Sequence, residues 1–125
     1  MRPVRLAPLV LVVLSACASS QMASAPLPET GYQPGALGFA AIMDEDWERA
    51  EKKLAASSVA RNDPARLLNL AHVYRKTGRE TEARRLYQAV LDQRDMTVEL
   101  ANGEAASCHE LAQRALAQPS GMASR

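Results

Sequence analysis

Two cysteines, Cys17 and Cys108, carry the most nucleophilic groups in the sequence. A cysteine reacts as its thiolate, so its chemistry depends on its surroundings. Cys17 ends an apolar run, whereas Cys108 stands between Ser107 and His109. Cys17 therefore lies at the boundary between an apolar segment and a polar one. Cys108 is either a thiol that cross-links to a partner or a second copy, or an inert buried side chain.

The residues before Cys17 have the layout of a secretory signal. Arg2 and Arg5 make the start basic, residues 6–14 are almost wholly apolar, and small residues follow. A membrane-spanning helix needs about twenty apolar residues, so this run is too short to remain as an anchor. The pattern predicts export and removal of the segment.

The sequence LSAC at residues 14–17 resembles the lipobox of bacterial lipoproteins. In that family the cysteine is diacylated, the signal is cut just before it, and the new amine is usually acylated. The resemblance implies a signal peptide at 1–16 and a membrane anchor through lipidated Cys17, because two or more acyl chains bind a bilayer stably. Ala18 in place of aspartate favours the outer membrane, facing the periplasm, over the inner membrane. The alternative is an ordinary signal peptide with a small cysteine.

Composition limits what the mature chain can be. After removal of Arg2 and Arg5 its net charge is close to −1, which gives no basic excess for nucleic-acid binding. Many alanines and leucines with few aromatics favour helix. We predict a lipidated flexible tether at 17–34, a folded helical domain at 35–118 and a disordered tail at 119–125.

Residues 64–91 have the pattern of a helical hairpin. Asp63 and Pro64 are a favourable cap and first helical residue. Apolar side chains then recur at three- and four-residue steps on both sides of Gly78, a residue suited to a left-handed helix end. The apolar positions are Leu67, Leu70, Ala71, Tyr74, Ala83, Leu86, Tyr87, Val90 and Leu91.

This segment resembles a tetratricopeptide repeat (TPR). The family's first-helix spacing is matched by Leu67, Leu70, Ala71 and Tyr74, and its second-helix spacing by Ala83 and Tyr87. The family's closing proline is replaced by Asp95. The same pattern recurs 33 residues upstream as a degenerate earlier repeat. Its equivalent positions are occupied by Leu37, Gly38, Ala41, Ala50 and Leu54.

The resemblance implies an all-α fold of about two TPR-like helical hairpins. Beyond them, extended residues and Asn102-Gly103 favour a short β-hairpin near 97–105. Ser107 and Glu110 fit a capping box that opens a helix. That helix would cover the open end of the stack, as repeat proteins require.

The sequence does not favour an enzyme, a metal site or a cofactor. Cys108 and His109 are neighbours, so on a helix they point about 100° apart and cannot pair. His72 lies elsewhere, and a metal site would need three or four ligands at recognisable spacing.

The family usually holds a protein or peptide partner against the first helices of its repeats. Carried over to this chain, that partner-binding face consists of Leu68, Asn69, His72, Arg75 and Lys76. Eight basic residues against four acids lie between 61 and 94, and six acids with one arginine between 29 and 51. This pattern would steer an acidic partner or pair two copies head to tail; the alternative is that these charges belong to ordinary solvated helix faces.

Together these features predict a membrane-anchored adaptor of the cell envelope. Lipoproteins with this repeat serve pilus biogenesis, secretion or outer-membrane assembly, and the sequence does not distinguish among them. The alternative is a structural lipoprotein that associates only with itself.

Overall fold

The computed structural model describes residues 26–119, which are mostly helical with one small sheet. In chain order the elements are α1 (Phe39–Met43), α2 (Trp47–Ala56), α3 (Pro64–Lys76), α4 (Glu80–Leu91), β1 (Thr97–Glu99), β2 (Ala105–Ser107) and α5 (Cys108–Ala117). The mainly helical fold is confirmed. The predicted signal peptide, Cys17 and most of the predicted tail lie outside the described residues.

The α3–α4 pair follows the start and stop signals in its sequence. The Asp63 carboxylate caps α3, and Pro64 is its first residue. After α3, Gly78 adopts a left-handed φ of +79°. The N–H groups of Gly78 and Arg79 donate to carbonyls in the last turn of α3. These two bonds form a Schellman motif, which ends the helix and turns the chain into α4.

The α1–α2 pair ends its first helix with the same motif but without glycine. Glu45 has φ +56°, and the Asp46 N–H donates to the Ala41 carbonyl at 2.9 Å. The Asp46 side chain then caps α2 through the Arg49 N–H. Glu45 and Gly78 are 33 residues apart, so the two turns recur at the predicted period.

The first helix begins at Phe39, four residues after the predicted start of the folded domain at residue 35. Gly38 precedes it at φ +66°, in the left-handed region. A Cβ on Gly38 would lie 3.3 Å from the Ala50 carbonyl oxygen and 3.4 Å from Leu54 Cγ. Glycine therefore serves both the backbone conformation and the close approach of this segment to α2.

The predicted β-hairpin is confirmed. β1 and β2 pair antiparallel, with Val98 opposite Ala106, and Gly103 has φ +83° in the connecting turn. Ser107 then caps α5 by accepting from the Glu110 N–H at 3.2 Å. The capping box is only half formed, because the Glu110 carboxylate pairs with Arg114 instead.

Two apolar clusters form the core. The larger joins α3, α4 and α5, and α5 covers α4 as the predicted end cap. The smaller lies between the two hairpins. Its buried members are Ala41, Ile42, Ala50, Leu54 and Val73. Because Val73 belongs to α3, this cluster joins α1 and α2 to the second hairpin.

Residues 26–34 differ from the predicted flexible tether. Leu27 is only 3% exposed and belongs to the larger core cluster. The Tyr32 hydroxyl donates to the Asp63 carboxylate at 3.1 Å. The folded body therefore includes residues 26–34, which were predicted to belong to the tether.

Candidate functional site

The structure separates the five residues of the predicted partner-binding face. Leu68, Asn69 and His72 are buried, with 6%, 1% and 6% of their surface exposed. Arg75 is partly buried, and Lys76 is exposed. Leu68, which was predicted to lie on the partner-binding face, is not exposed to a partner, because it lies in the larger core cluster together with Leu27.

Asn69 binds the backbone of a segment far away in the sequence. Its Oδ1 accepts from the Leu27 N–H at 2.7 Å, and its Nδ2 donates to the Leu27 carbonyl at 3.1 Å. Nδ2 also donates to the Leu37 carbonyl at 2.9 Å. The amide thus uses its acceptor and both of its donors on main-chain groups. The surface of α3 that was predicted to bind a partner holds part of the same chain.

Glu29 fixes the same segment to the start of α1. Its carboxylate accepts from the N–H groups of Gly35, Leu37 and Phe39. Gly38, at the N-cap position of α1, has no side chain to do this. A carboxylate at a helix start also interacts favourably with the helix dipole. Sequence reasoning missed Glu29 because it lies ten residues before the helix that it caps.

His72 lies in the contact between the two hairpins. Its ring centroid is 6.1 Å from that of Trp47 on α2, in an edge-to-face arrangement. Its Nδ1 has no hydrogen-bond partner among the described residues. Burial, with smaller contributions from Lys76 and Arg75, lowers the pKa of His72 to about 4. The neutral ring packs between the hairpins and does not present a charge to a partner.

Arg75 is bound within the protein. Its guanidinium pairs with Glu80 at 3.0 Å and donates to the Ala115 carbonyl at 3.0 Å. It also lies over the Tyr87 ring, 4.9 Å from the centroid. Arg75 therefore connects α3, α4 and α5. Of the two predicted cations, Lys76 is exposed and Arg75 is not.

The groups around Cys108 do not form a nucleophilic centre. Cys108 is fully buried, and burial, followed by the carboxylates of Asp95 and Asp63, raises its pKa to about 12. The Ser107 hydroxyl donates to Asp95 at 2.6 Å, and His109 Nε2 lies 2.8 Å from the Gln93 carbonyl oxygen. The thiol is held in its unreactive form, as the inert alternative predicted.

Asp95 has a structural role that its sequence position did not suggest. Besides Ser107, its carboxylate accepts from the His109 backbone N–H at 3.0 Å. It therefore holds the start of α5 in place. Asp95 stands at the position of the closing proline in the TPR pattern. Hydrogen bonds from Ser107 and His109 keep the pKa of Asp95 below its usual range.

The described residues contain no group of three or more histidine, cysteine, aspartate or glutamate side chains that could hold a metal ion. Between residues 26 and 119 no helix has the length and apolarity to cross a membrane. Cys17, the predicted lipidation site, lies outside this range.

The Asn69 surface is the strongest candidate site in the described chain. Asn69 and the exposed Lys76 both lie on α3, and Leu27 adds a buried apolar contact from the segment that Asn69 binds. Comparisons with protein-family models, with curated proteins and with solved structures found no match to this chain.

Proposed function

We propose that this chain is a lipid-anchored TPR-like adaptor that binds a protein partner in the bacterial cell envelope. The observation that carries the proposal is the repetition of one helix-ending motif at Glu45 and Gly78. Equal turns at a 33-residue interval are what a duplicated helical hairpin would produce.

Burial of the equivalent helix positions gives further support. Ala50 and Ala83 are both completely buried. At the next equivalent pair, the exposed fraction is 0% for Leu54 and 1% for Tyr87. Small side chains at such positions let paired helices approach closely. Stacked helical hairpins of this kind form scaffolds that bind protein segments.

The anchor rests on the lipobox-like sequence before Cys17. A lipid-anchored adaptor would hold its partner at the membrane surface, with the outer membrane favoured by Ala18. Pilus, secretion and outer-membrane assembly are the settings in which such adaptors work. The rival function is a structural lipoprotein that associates with itself, for which the opposite charges of the two halves would supply the attraction.

The anchor is tested by replacing Cys17 with Ser in the full chain in a Gram-negative host. We expect palmitate labelling and membrane fractionation of the parent chain, and loss of both in Cys17→Ser. Labelling that persists in the variant would disprove lipidation at this position.

The adaptor role is tested by a photoreactive residue placed at the exposed Lys76, with the exposed Gln88 on α4 as the matched control position. We expect reproducible crosslinks to a foreign envelope protein from position 76 and few from position 88. Crosslinks to other copies of this chain alone would favour the rival function.

A further inference from the structure

Residues 26–32, here called the N-terminal strap, lie against α3 in neither helix nor strand. The strap is fixed at two points of α3 and its cap, and Glu29 also holds it to the start of α1. The Asn69 amide binds both main-chain groups of Leu27, and Asp63 binds the Tyr32 hydroxyl. Thr30 and Gly31 between these points are exposed. The strap therefore resembles a bound peptide more than an element of the helical stack.

The contact at Asn69 depends on main-chain groups. A side-chain amide offers one acceptor and two donors, which match the N–H and C=O that every residue other than proline carries. Nothing in this pairing requires the strap to belong to the same chain. The selectivity comes from the side chain, because Leu27 is 3% exposed and needs an apolar residue of its size.

The strap sequence favours this bound form. Pro28 restricts the residue before it to extended conformations, in which Leu27 presents its N–H and C=O to the side. Pro26 is restricted in its own φ angle. A segment that is restricted before binding loses less conformational entropy when it is bound. An extended leucine that is followed by proline would therefore bind this surface with a small loss of conformational entropy.

We propose that the Asn69 surface of α3 is a peptide-binding site, that the N-terminal strap is its intramolecular ligand, and that an extended leucine-proline segment of a partner protein displaces the strap. The proposal depends on the adaptor function for the existence of a partner. It explains why Leu68 and Asn69, predicted to bind a partner, are buried in this chain.

The strap competes at a high effective concentration because it is covalently attached. Short flexible links give effective concentrations of roughly millimolar. A free peptide of the same sequence should therefore bind the parent chain weakly and bind much better when the strap is weakened. This difference separates a displaceable ligand from a fixed part of the core.

The test uses the full chain and a fluorescein-labelled peptide, SAPLPETGY, which contains the strap sequence, with binding followed by fluorescence anisotropy. Leu27→Ser in the protein removes the apolar contact of the strap and leaves the Asn69 surface intact. We expect the peptide to bind Leu27→Ser at least tenfold more tightly than the parent chain. A peptide with serine in place of its leucine should not bind.

A second substitution identifies the site. Adding Asn69→Ala to Leu27→Ser should abolish the gain in peptide affinity. Pro28→Gly keeps the hydrogen bonds of Leu27, Glu29 and Tyr32 and removes the backbone restriction with the half-buried ring, so it should give a smaller gain of about threefold, even if Leu27→Ser does not fold. Circular dichroism would establish which variants are folded.

Three results would overturn the proposal: no gain in affinity in a folded Leu27→Ser or Pro28→Gly, a gain that survives Asn69→Ala, or a parent chain that dimerises by exchanging straps. If the purified chain binds the peptide but gives no envelope crosslinks, the peptide-binding site is supported and the adaptor function is rejected. If it gives envelope crosslinks but does not bind the peptide, the adaptor function is supported and the peptide-binding site is rejected.

Discussion

Arg75 and Lys76 are neighbours on α3 with the same charge and different surroundings. The Arg75 guanidinium binds Glu80 and the Ala115 carbonyl, whereas Lys76 is exposed. Arg75→Met should lower the free energy of unfolding by about 1–3 kcal/mol, because it leaves partly buried acceptors without a donor. Lys76→Met is the matched control and should change it by less than about 0.5 kcal/mol.

Urea unfolding followed by circular dichroism would measure both variants. Equal losses in the two variants would contradict the role of Arg75 as a connection between helices. A small effect in Lys76→Met is also what the use of this position for crosslinking requires.

His72 should make stability depend on pH in a defined window. Its pKa is about 4 in the folded chain and near 6.5 when unfolded. Above pH 6.5 both states are neutral and stability is full. As pH falls from 6.5 towards 4, the unfolded chain binds a proton that the folded chain does not, so stability decreases. At pH 5 the loss should be about 2 kcal/mol.

The measurement is urea unfolding at pH 7.5 and pH 5.0, followed by the fluorescence of Trp47, which contacts His72. His72→Leu removes the titrating ring and keeps an apolar side chain in the contact. If His72→Leu loses as much stability at pH 5.0 as the parent chain, another group is responsible for the pH dependence.

At the scale of the helices, Glu45 is held in a conformation that suits glycine. Its φ of +56° costs a residue with a Cβ about 1 kcal/mol, and its side chain is exposed. We expect Glu45→Gly to raise the free energy of unfolding by about that amount. Gly78→Ala, at φ +79° with no atom within 4 Å of a Cβ, should lower it similarly.

Thermal melting by circular dichroism would test this pair of substitutions. A melting temperature that falls in Glu45→Gly would mean that the Glu45 side chain makes a contact that outweighs its backbone strain, and the equivalence of the two turns would then be limited to their geometry.

Ala83 is completely buried where α4 packs on α3. Ala83→Leu would add methyl and methylene groups where there is no space, and should cost about 1–3 kcal/mol. Ala55→Leu on the exposed side of α2 is the matched control and should be nearly neutral. Chemical denaturation would compare the two, and an unaffected Ala83→Leu would place the α3–α4 contact elsewhere.

The elements that the sequence predicted well are those whose signals are local. Asp63-Pro64 and Gly78 mark the ends of α3, and Asn102-Gly103 marks the β-hairpin, because each acts within a few residues of itself. The strap was predicted as a tether because its prolines and small residues show no periodicity. Its binding partner, Asn69, is 42 residues away from Leu27, and no local pattern specifies a contact of that kind.

Local sequence signals were also insufficient to predict the candidate site. Sequence spacing correctly placed Asn69 and Lys76 on one helix, but burial depends on what covers that helix. Leu68 and Asn69 are buried together with the strap, and His72 packs against Trp47 from the other hairpin. The Pro-Leu-Pro sequence at 26–28 was the one available signal, since an apolar residue between prolines favours an extended, bound segment.

For the molecule as a whole, Arg66 joins the two hairpins. This arginine is buried on α3, and its Nε and Nη2 donate to the Leu54 carbonyl at 2.9 and 2.6 Å. Leu54 lies in the last turn of α2, where carbonyls lack partners within the helix. Arg66 therefore caps the end of one hairpin from the other, beside the apolar cluster around Val73.

Loss of this connection should separate the unfolding of the two hairpins. Arg66→Met keeps an apolar stem but leaves the Leu54 carbonyl without its charged donors, at a cost of about 1–3 kcal/mol. In the parent chain, Trp47 fluorescence and far-ultraviolet circular dichroism should report one coincident transition. In Arg66→Met, the fluorescence of Trp47 on α2 should change at a lower denaturant concentration than the helical signal, because α1 and α2 bury little surface without α3.

Arg61→Met, at an exposed position, is the control and should keep the two transitions coincident. Coincident transitions in Arg66→Met would mean that the apolar cluster alone couples the hairpins.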